Sequence, residues 1–173
     1  MDGCFANAGV SGWMTRFEDM TTEEWNHVLN VNLNGVFYIF RLAARHMKAR
    51  AEQGDPFGRL IATSSSASIF GQPRGEHYSA TKGALNAMVR SLAVEYARYG
   101  MTAHAILPGW ITTEMTDPLK GMDKMHAAIN ARIPAKRWGE AEDFEGIAVY
   151  LMSEASKYHS AGIHVIDGGF TVF

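Results

Sequence analysis

The stretch EHYSATKGALNAM, Glu76 to Met88, decides how the rest of the chain is read. It sets Tyr78 and Lys82 four residues apart at the head of a run with helical periodicity. That spacing puts both side chains on one helix face, one turn apart. A catalytic pair and two ordinary helix neighbours are both compatible with it, so the surroundings have to choose. Leu85, Met88, Val89, Leu92 and Tyr96 continue a single apolar stripe down the same helix. Gly100 stands where a C-cap glycine stops it.

Apolar runs alternate with longer helical patterns on both sides of this helix, the signature of a parallel α/β sheet. Asp2 to Ala6 reads as a short strand, followed by Asn-Ala-Gly. Thr21 and Glu24 have capping-box spacing and open a long helix to about Arg50. EQGDPFG breaks it, and RLIATSS is a second strand entering a serine-rich loop. MTAHAIL is a third, stopped by Pro108-Gly109. An irregular, methionine-rich segment follows to about Ile133. Glu140 to Met152 is amphipathic, with Phe144, Ile147, Ala148 and Leu151 on one face, and GIHVID is a fourth strand closed by Gly168-Gly169. The expected architecture is a single domain, 1–173, with four parallel strands and flanking helices, half of a doubly wound Rossmann-like sheet.

Composition narrows the function classes. The 173 residues are 47% hydrophobic and 20% charged, with a formal net charge of −2. That is ordinary globular composition, and without a basic stripe a nucleic-acid partner is not expected. No apolar run reaches the length of a membrane span, and the N-terminus lacks signal-peptide character. The single cysteine, Cys4, can form no intramolecular disulfide, which fits a reducing, cytoplasmic setting. The seven histidines are scattered without a familiar ligand spacing, so no metal is expected.

Ligands of open α/β sheets bind outside the carboxyl ends of the strands. Here those ends read Asn7-Ala8-Gly9, Thr63-Ser64-Ser65-Ser66 and Pro108-Gly109-Trp110-Ile111-Thr112-Thr113. Small and hydroxyl residues at each leave room for a flat ligand and offer it hydrogen bonds. Any one of these ends read alone is simply a turn. Three of them, followed by Tyr78 and Lys82 on the next helix, make a constellation.

With these residues in view, the chain resembles the short-chain dehydrogenases/reductases. The resemblance is carried by NAG at 7–9, NVNLNGVF at 30–37, Ser65, YSATK at 78–82, PGWITTEM at 108–115 and HVIDGG at 164–169, in the family's order and spacing. It implies hydride transfer between NAD or NADP and a carbonyl or secondary alcohol. Tyr78 would be the general acid/base, and Lys82 its electrostatic tuner and a ribose ligand. Ser65 would hold the substrate oxygen. Asn32 would kink the long helix and connect the lysine to a proton-relaying water, although the residues alone do not separate it from Asn30 and Asn34. Asn7, Ala8 and Gly9 would line the adenosine-ribose side of the cofactor. Pro108 and Gly109 would shape the turn next to it. The Ile111 backbone and the Thr113 hydroxyl would hold its carboxamide.

Trp110, Met115, Leu119, Met122 and Met125 read either as a mobile lid over a partly apolar small-molecule substrate or as a segment packed on its own core. His77, beside the tyrosine, reads either as a residue lining the pocket or as a solvated helix residue, and the second is the expectation. No G-x-S-x-G elbow surrounds any serine, which removes an α/β-hydrolase reading. The family's glycine-rich pyrophosphate turn is not found ahead of Asp2. Two expectations follow: an oxidoreductase lacking that part, which binds cofactor weakly, or a non-catalytic scaffold or partner subunit. The strand at Asp2–Ala6 would then be an unguarded edge, and a marginally stable homo-oligomer or larger assembly is expected.

Overall fold

The computed structural model describes residues 1–117 and 122–173. Its sheet has four strands in the order β1-β2-β3-β4: Gly3–Ala6, Gly58–Thr63, Met101–Pro108 and Ile163–Ile166. Every neighbouring pair is parallel, with Cys4 opposite Leu60, Ile61 opposite His104, and Ile106 opposite His164. The helices are α1 (Thr22–Leu29), α2 (Gly35–Ala51), α3 (Glu76–Tyr96), α4 (Asp123–Arg132) and α5 (Glu145–Met152).

Alternation along the strands sorts the core into layers. Cys4, Ala6, Leu60, Ala62, Met101, Ala103, Ala105 and Leu107 face α2 and α3, where Phe40, Ala44, Met47, Leu85 and Val89 are buried against them. Ile61 and Ile106 face the other way, onto Leu151 of α5 with Phe144 and Ile147 beside it. A sheet covered on both faces is what an all-parallel sheet requires. Burying all three residues Leu60, Ile61 and Ala62 side by side explains why β2 reads as a continuous apolar run.

Several expectations hold in detail. The capping box is present: Glu24 N–H donates to Thr21 Oγ1 at 3.1 Å and Thr21 N–H to Glu24 Oε2 at 2.8 Å. Gly100 is left-handed, with φ +69°, and a Cβ there would strike the Pro56 carbonyl. The stripe on α3 packs inward as read, with Leu85 and Val89 fully buried and Met88, Leu92 and Tyr96 against the same core.

The long helix is interrupted by a π-turn at Asn30–Asn34 between α1 and α2, centred on Asn32, where the resemblance implied a kink. Two features differ. The methionine-rich segment is not irregular throughout, because 123–132 is helical. Its Ile129, with Ile133, Trp138 and Phe170, forms a small separate core on which Trp110 and Met125 pack. That favours a self-packed segment for these two, while Met115 and Met122 remain exposed. Leu119 lies outside the described residues. Finally, His77 is fully buried, because the first turn of α3 packs against Gly12 and Val28.

No described helix is long and apolar enough to cross a membrane.

Candidate active site

Parallel pairing brings the exits of all four strands to one side of the sheet. Ala6 pairs with Ala62, Thr63 with Ile106, and Pro108 with Ile166. The loops that leave these positions carry every residue singled out from the strand ends. α3 runs beside them, and its first turns present Tyr78 and Lys82.

Lys82 is only 4% exposed. Its Nζ donates to the Thr63 carbonyl at 2.7 Å and lies 5.5 Å from the centre of the Tyr78 ring. The carbonyl is available because β2 ends there, so it is free of the sheet ladder beyond that residue. The backbone of Lys82 is fixed as well, its carbonyl accepting from the Ser64 hydroxyl at 2.8 Å. A Cβ on Gly9 would come to 3.4 Å from Lys82 Nζ and 3.2 Å from Asn32 Oδ1. Glycine therefore keeps the space in front of the ammonium open. With one protein acceptor for three donors, the ammonium has hydrogen-bonding capacity left over.

Asn32 is fully buried at the centre of the π-turn. Its amide clamps one residue of the β1 exit from both sides. Oδ1 accepts from Val10 N–H at 2.8 Å, and Nδ2 donates to the Val10 carbonyl at 2.9 Å. Nδ2 also lies 3.4 Å from Thr81 Oγ1, which in turn donates to the Tyr78 carbonyl at 2.7 Å. One side chain so links the β1 exit, the kinked helix and the Tyr78 turn. Asn30 and Asn34 instead pair with each other at the surface, 2.9 Å apart, and this separates Asn32 from its neighbours.

Ser65 Oγ accepts from Ala67 N–H at 3.1 Å and turns its own proton toward the Tyr78 phenol. Burial raises the Tyr78 phenol above its ordinary value, and a hydrogen bond from Ser65 pulls it partly back. Burial pushes the Lys82 ammonium down to about 8. Lys82 Nζ is drawn to Thr63 while the phenol is desolvated; the tuning of Tyr78 that the resemblance implies also involves the positive charge of an oxidised nicotinamide. At neutral pH Tyr78 is protonated.

The other candidates are placed less closely. Asn7 and Ala8 are exposed beside Gly9, and Asn7 Oδ1 accepts from the Thr63 hydroxyl at 2.9 Å. Gly109 is needed because a Cβ there would lie 2.6 Å from Asp167 Cβ. Pro108 ends β3 against Ile166. Ile111 forms a bridge to Gly139, and a pocket opens there between Trp110, Ile111, Arg137, Gly139 and Asp167. The Thr113 hydroxyl faces that of Thr116 at 3.4 Å. Thr63, Ser64 and Thr81 were not singled out for the roles they hold. A carbonyl acceptor leaves no trace in side-chain identity, though the hydroxyl run at 63–66 marks the place.

Comparison with known proteins fits this geometry. The family model described as enoyl-(acyl carrier protein) reductase matches residues 1–171. 2-Dehydro-3-deoxy-D-gluconate 5-dehydrogenase of Bacillus subtilis is 41% identical over 164 residues, 95% of this chain and 62% of that protein. Gluconate 5-dehydrogenase of Gluconobacter oxydans is 32% identical over 166 residues, 96% of this chain and 62% of that protein. Among solved structures, a gluconate 5-dehydrogenase from Burkholderia cenocepacia in complex with NADP and tartrate superposes with a TM-score of 0.94 at 31% identity, covering 100% of this chain and 66% of that one. The fold is that of a Rossmann-like α/β sheet with flanking helices. The chain belongs to the short-chain dehydrogenase/reductase family. It spans about 62% of the length of the curated relatives it matches.

Proposed function

We propose that the protein transfers a hydride between NAD(P)(H) and a carbonyl or secondary alcohol, on a small polyhydroxy acid of the gluconate type. The observation that carries this reading is the buried Lys82 ammonium, held by Thr63 at the open space before Gly9, with Tyr78 one turn away. The similarity to 2-dehydro-3-deoxy-D-gluconate 5-dehydrogenase, gluconate 5-dehydrogenase and 5-keto-D-gluconate 5-reductase turns the substrate expectation from a partly apolar compound to a sugar acid. A non-catalytic scaffold is not favoured, because these relatives are dehydrogenases and reductases. With its one cysteine buried, the protein is read as cytoplasmic.

The residues present fit a dinucleotide. Gly9 leaves a cradle that a side chain would fill, and Lys82 retains unused donors above it. Lys82 and Tyr78 would hold the nicotinamide ribose, and Asn7, Ala8 and Gly9 the adenosine side. The Ile111 backbone and Thr113 would hold the carboxamide, within the turn that Pro108 and Gly109 shape. When bound, the nicotinamide supplies or accepts the hydride.

The remaining work belongs to this chain. Ser65, which hydrogen-bonds the Tyr78 phenol in this structure, would donate a hydrogen bond to the substrate oxygen while keeping its own proton, and so aim that oxygen at Tyr78. Tyr78, kept protonated by burial, gives its proton to the oxygen as a carbonyl becomes an alcohol. Lys82 stabilises the phenolate left behind, and Asn32 holds the Gly9–Val10 backbone in register with both.

Turnover of NADH and NADPH with 5-keto-D-gluconate, related keto-sugar acids and simple apolar ketones tests the reading. The expected outcome is oxidation of a reduced cofactor with a sugar acid and a clear preference over apolar ketones. Cofactor binding with turnover confined to apolar ketones would contradict the substrate class.

A further inference from the structure

Three histidines meet on the α5 side of the sheet, away from the strand exits. His104 lies on β3, His164 on β4, and His159 in the turn that enters β4. His104 Nδ1 and His164 Nε2 are 3.1 Å apart. The ring centres lie 5.2 Å apart for His104 and His164, 5.1 Å for His104 and His159, and 4.9 Å for His159 and His164. One nitrogen from each ring can be chosen so that all three lie within 4.8 Å of one another. His104 is fully buried, and its Nε2 has no hydrogen-bond partner. His159 is oriented through Nδ1, 3.2 Å from the Tyr150 hydroxyl. A Cβ on Gly162 would collide with Nε2 of both His159 and His164, so only glycine leaves the space between these nitrogens clear.

We propose that His104, His159 and His164 form a binding site for a divalent transition metal of the zinc class. In a tetrahedral zinc centre with Zn–N bonds of about 2.0–2.1 Å, neighbouring nitrogens stand roughly 3.3 Å apart. His104 and His164 already have nearly that spacing. His159, half-buried in a turn, has to close by only about 1.5 Å to match the same tetrahedral spacing. An all-imidazole set without a carboxylate suits zinc, cobalt, nickel or copper and not magnesium or calcium. Tyr150 on the far nitrogen of His159 is the kind of contact that fixes the tautomer of a ligand. The Arg59 cation is also near His104. It is spent on the carbonyls of Leu151, Gly58, Gly100 and Ser153, and Glu154 opposes its charge.

The position defines the role. Tyr78 and Lys82 stand where the strands exit, whereas His159 and Gly162 stand where β4 begins. An ion here would not touch substrate. It would tie the turn at 153–162 to β3 and β4, leaving its fourth position to water.

The test uses the purified chain, stripped with a chelator and titrated with Co2+ and Zn2+. One equivalent of Co2+ is expected to give the intense visible bands of a tetrahedral nitrogen-ligated ion, and one equivalent of Zn2+ to displace it and raise Tm. His159→Ala and His164→Ala are each expected to weaken Zn2+ binding by at least ~10-fold. His46→Ala, an exposed histidine near the N-terminus, should change nothing. His104 is too buried for a clean substitution, and the cobalt spectrum of the unmodified chain reads the site without one. Failure to bind a stoichiometric ion, or binding unchanged in both folded variants, would overturn the proposal.

Discussion

Lys82 keeps its cation in a place that water scarcely reaches, with one carbonyl for a partner. That arrangement disfavours the charged form, hence a folded-state value of about 8 against 10.5 for the ordinary side chain. Between these values the unfolded chain binds more protons than the folded one, so stability rises with pH. Below about pH 8 the burial penalty is present in full, on the order of 3 kcal/mol by the size of the shift. Lys82→Met is therefore expected to melt higher than wild type at pH 7, and the difference should shrink between pH 8 and 10.5. Melting curves of both forms across that range measure it; a difference independent of pH would contradict the burial argument. The same substitution removes the donor that faces Gly9, so it should weaken NADP(H) binding while stabilising the fold. At this scale Tyr78 and Lys82 could be singled out by type and spacing only together with the small and hydroxyl residues at the strand ends, and Ser65 only through the family resemblance. Thr63 could not, since its contribution to Lys82 is a backbone carbonyl. The burial of the Tyr78 phenol and the reach of Lys82 to Thr63 were not legible, because both are facts of packing.

Asn32 and Arg59 do at the scale of elements what apolar contacts cannot. A π-turn inserts one extra residue into a helix, and here it turns the Asn32 amide inward against Val10. Asn32→Ala would leave the Val10 N–H and carbonyl buried without partners, at a cost of about 1–3 kcal/mol, and would free the β1 exit. Urea denaturation should register that loss; a variant as stable as wild type would show the clamp to be idle. Arg59, 1% exposed, joins β2 to the end of α5 through the carbonyls of Leu151 and Ser153. Arg59→Met keeps much of the stem and deletes the donors, so about 2–4 kcal/mol should be lost, measured the same way. Strands and principal helices were readable because their periods, caps and breakers are local. The π-turn was not, since Asn30, Asn32 and Asn34 are interchangeable until tertiary contacts choose one. The helix at 123–132 was missed because its apolar residues face a small local core and give little amphipathic contrast. The burial of His77 depends on Gly12 and Val28, distant in sequence.

At the scale of the whole molecule, the outer face of α2 is one apolar surface without an internal partner among the described residues. Phe37, Tyr38 and Leu42 are 45%, 53% and 55% exposed, with Arg41 over the two rings. β1 is an edge of the described sheet, and Phe5 on it is 43% exposed. Apolar surface so concentrated favours self-association. Sedimentation is expected to show a dimer or larger species that shifts toward monomer in a Phe37→Glu, Leu42→Glu variant; a wild-type monomer at all concentrations would exclude it. The central claim is that Tyr78 delivers the proton that accompanies hydride transfer. The most direct measurement follows deuterium from the hydride position of labelled NADPH into 5-keto-D-gluconate, in wild type and in Tyr78→Phe, with circular dichroism confirming equal folding. Label should appear at the reduced carbon with wild type, and at a rate at least ~100-fold lower with the variant. Equal rates of transfer in the two proteins would contradict the account.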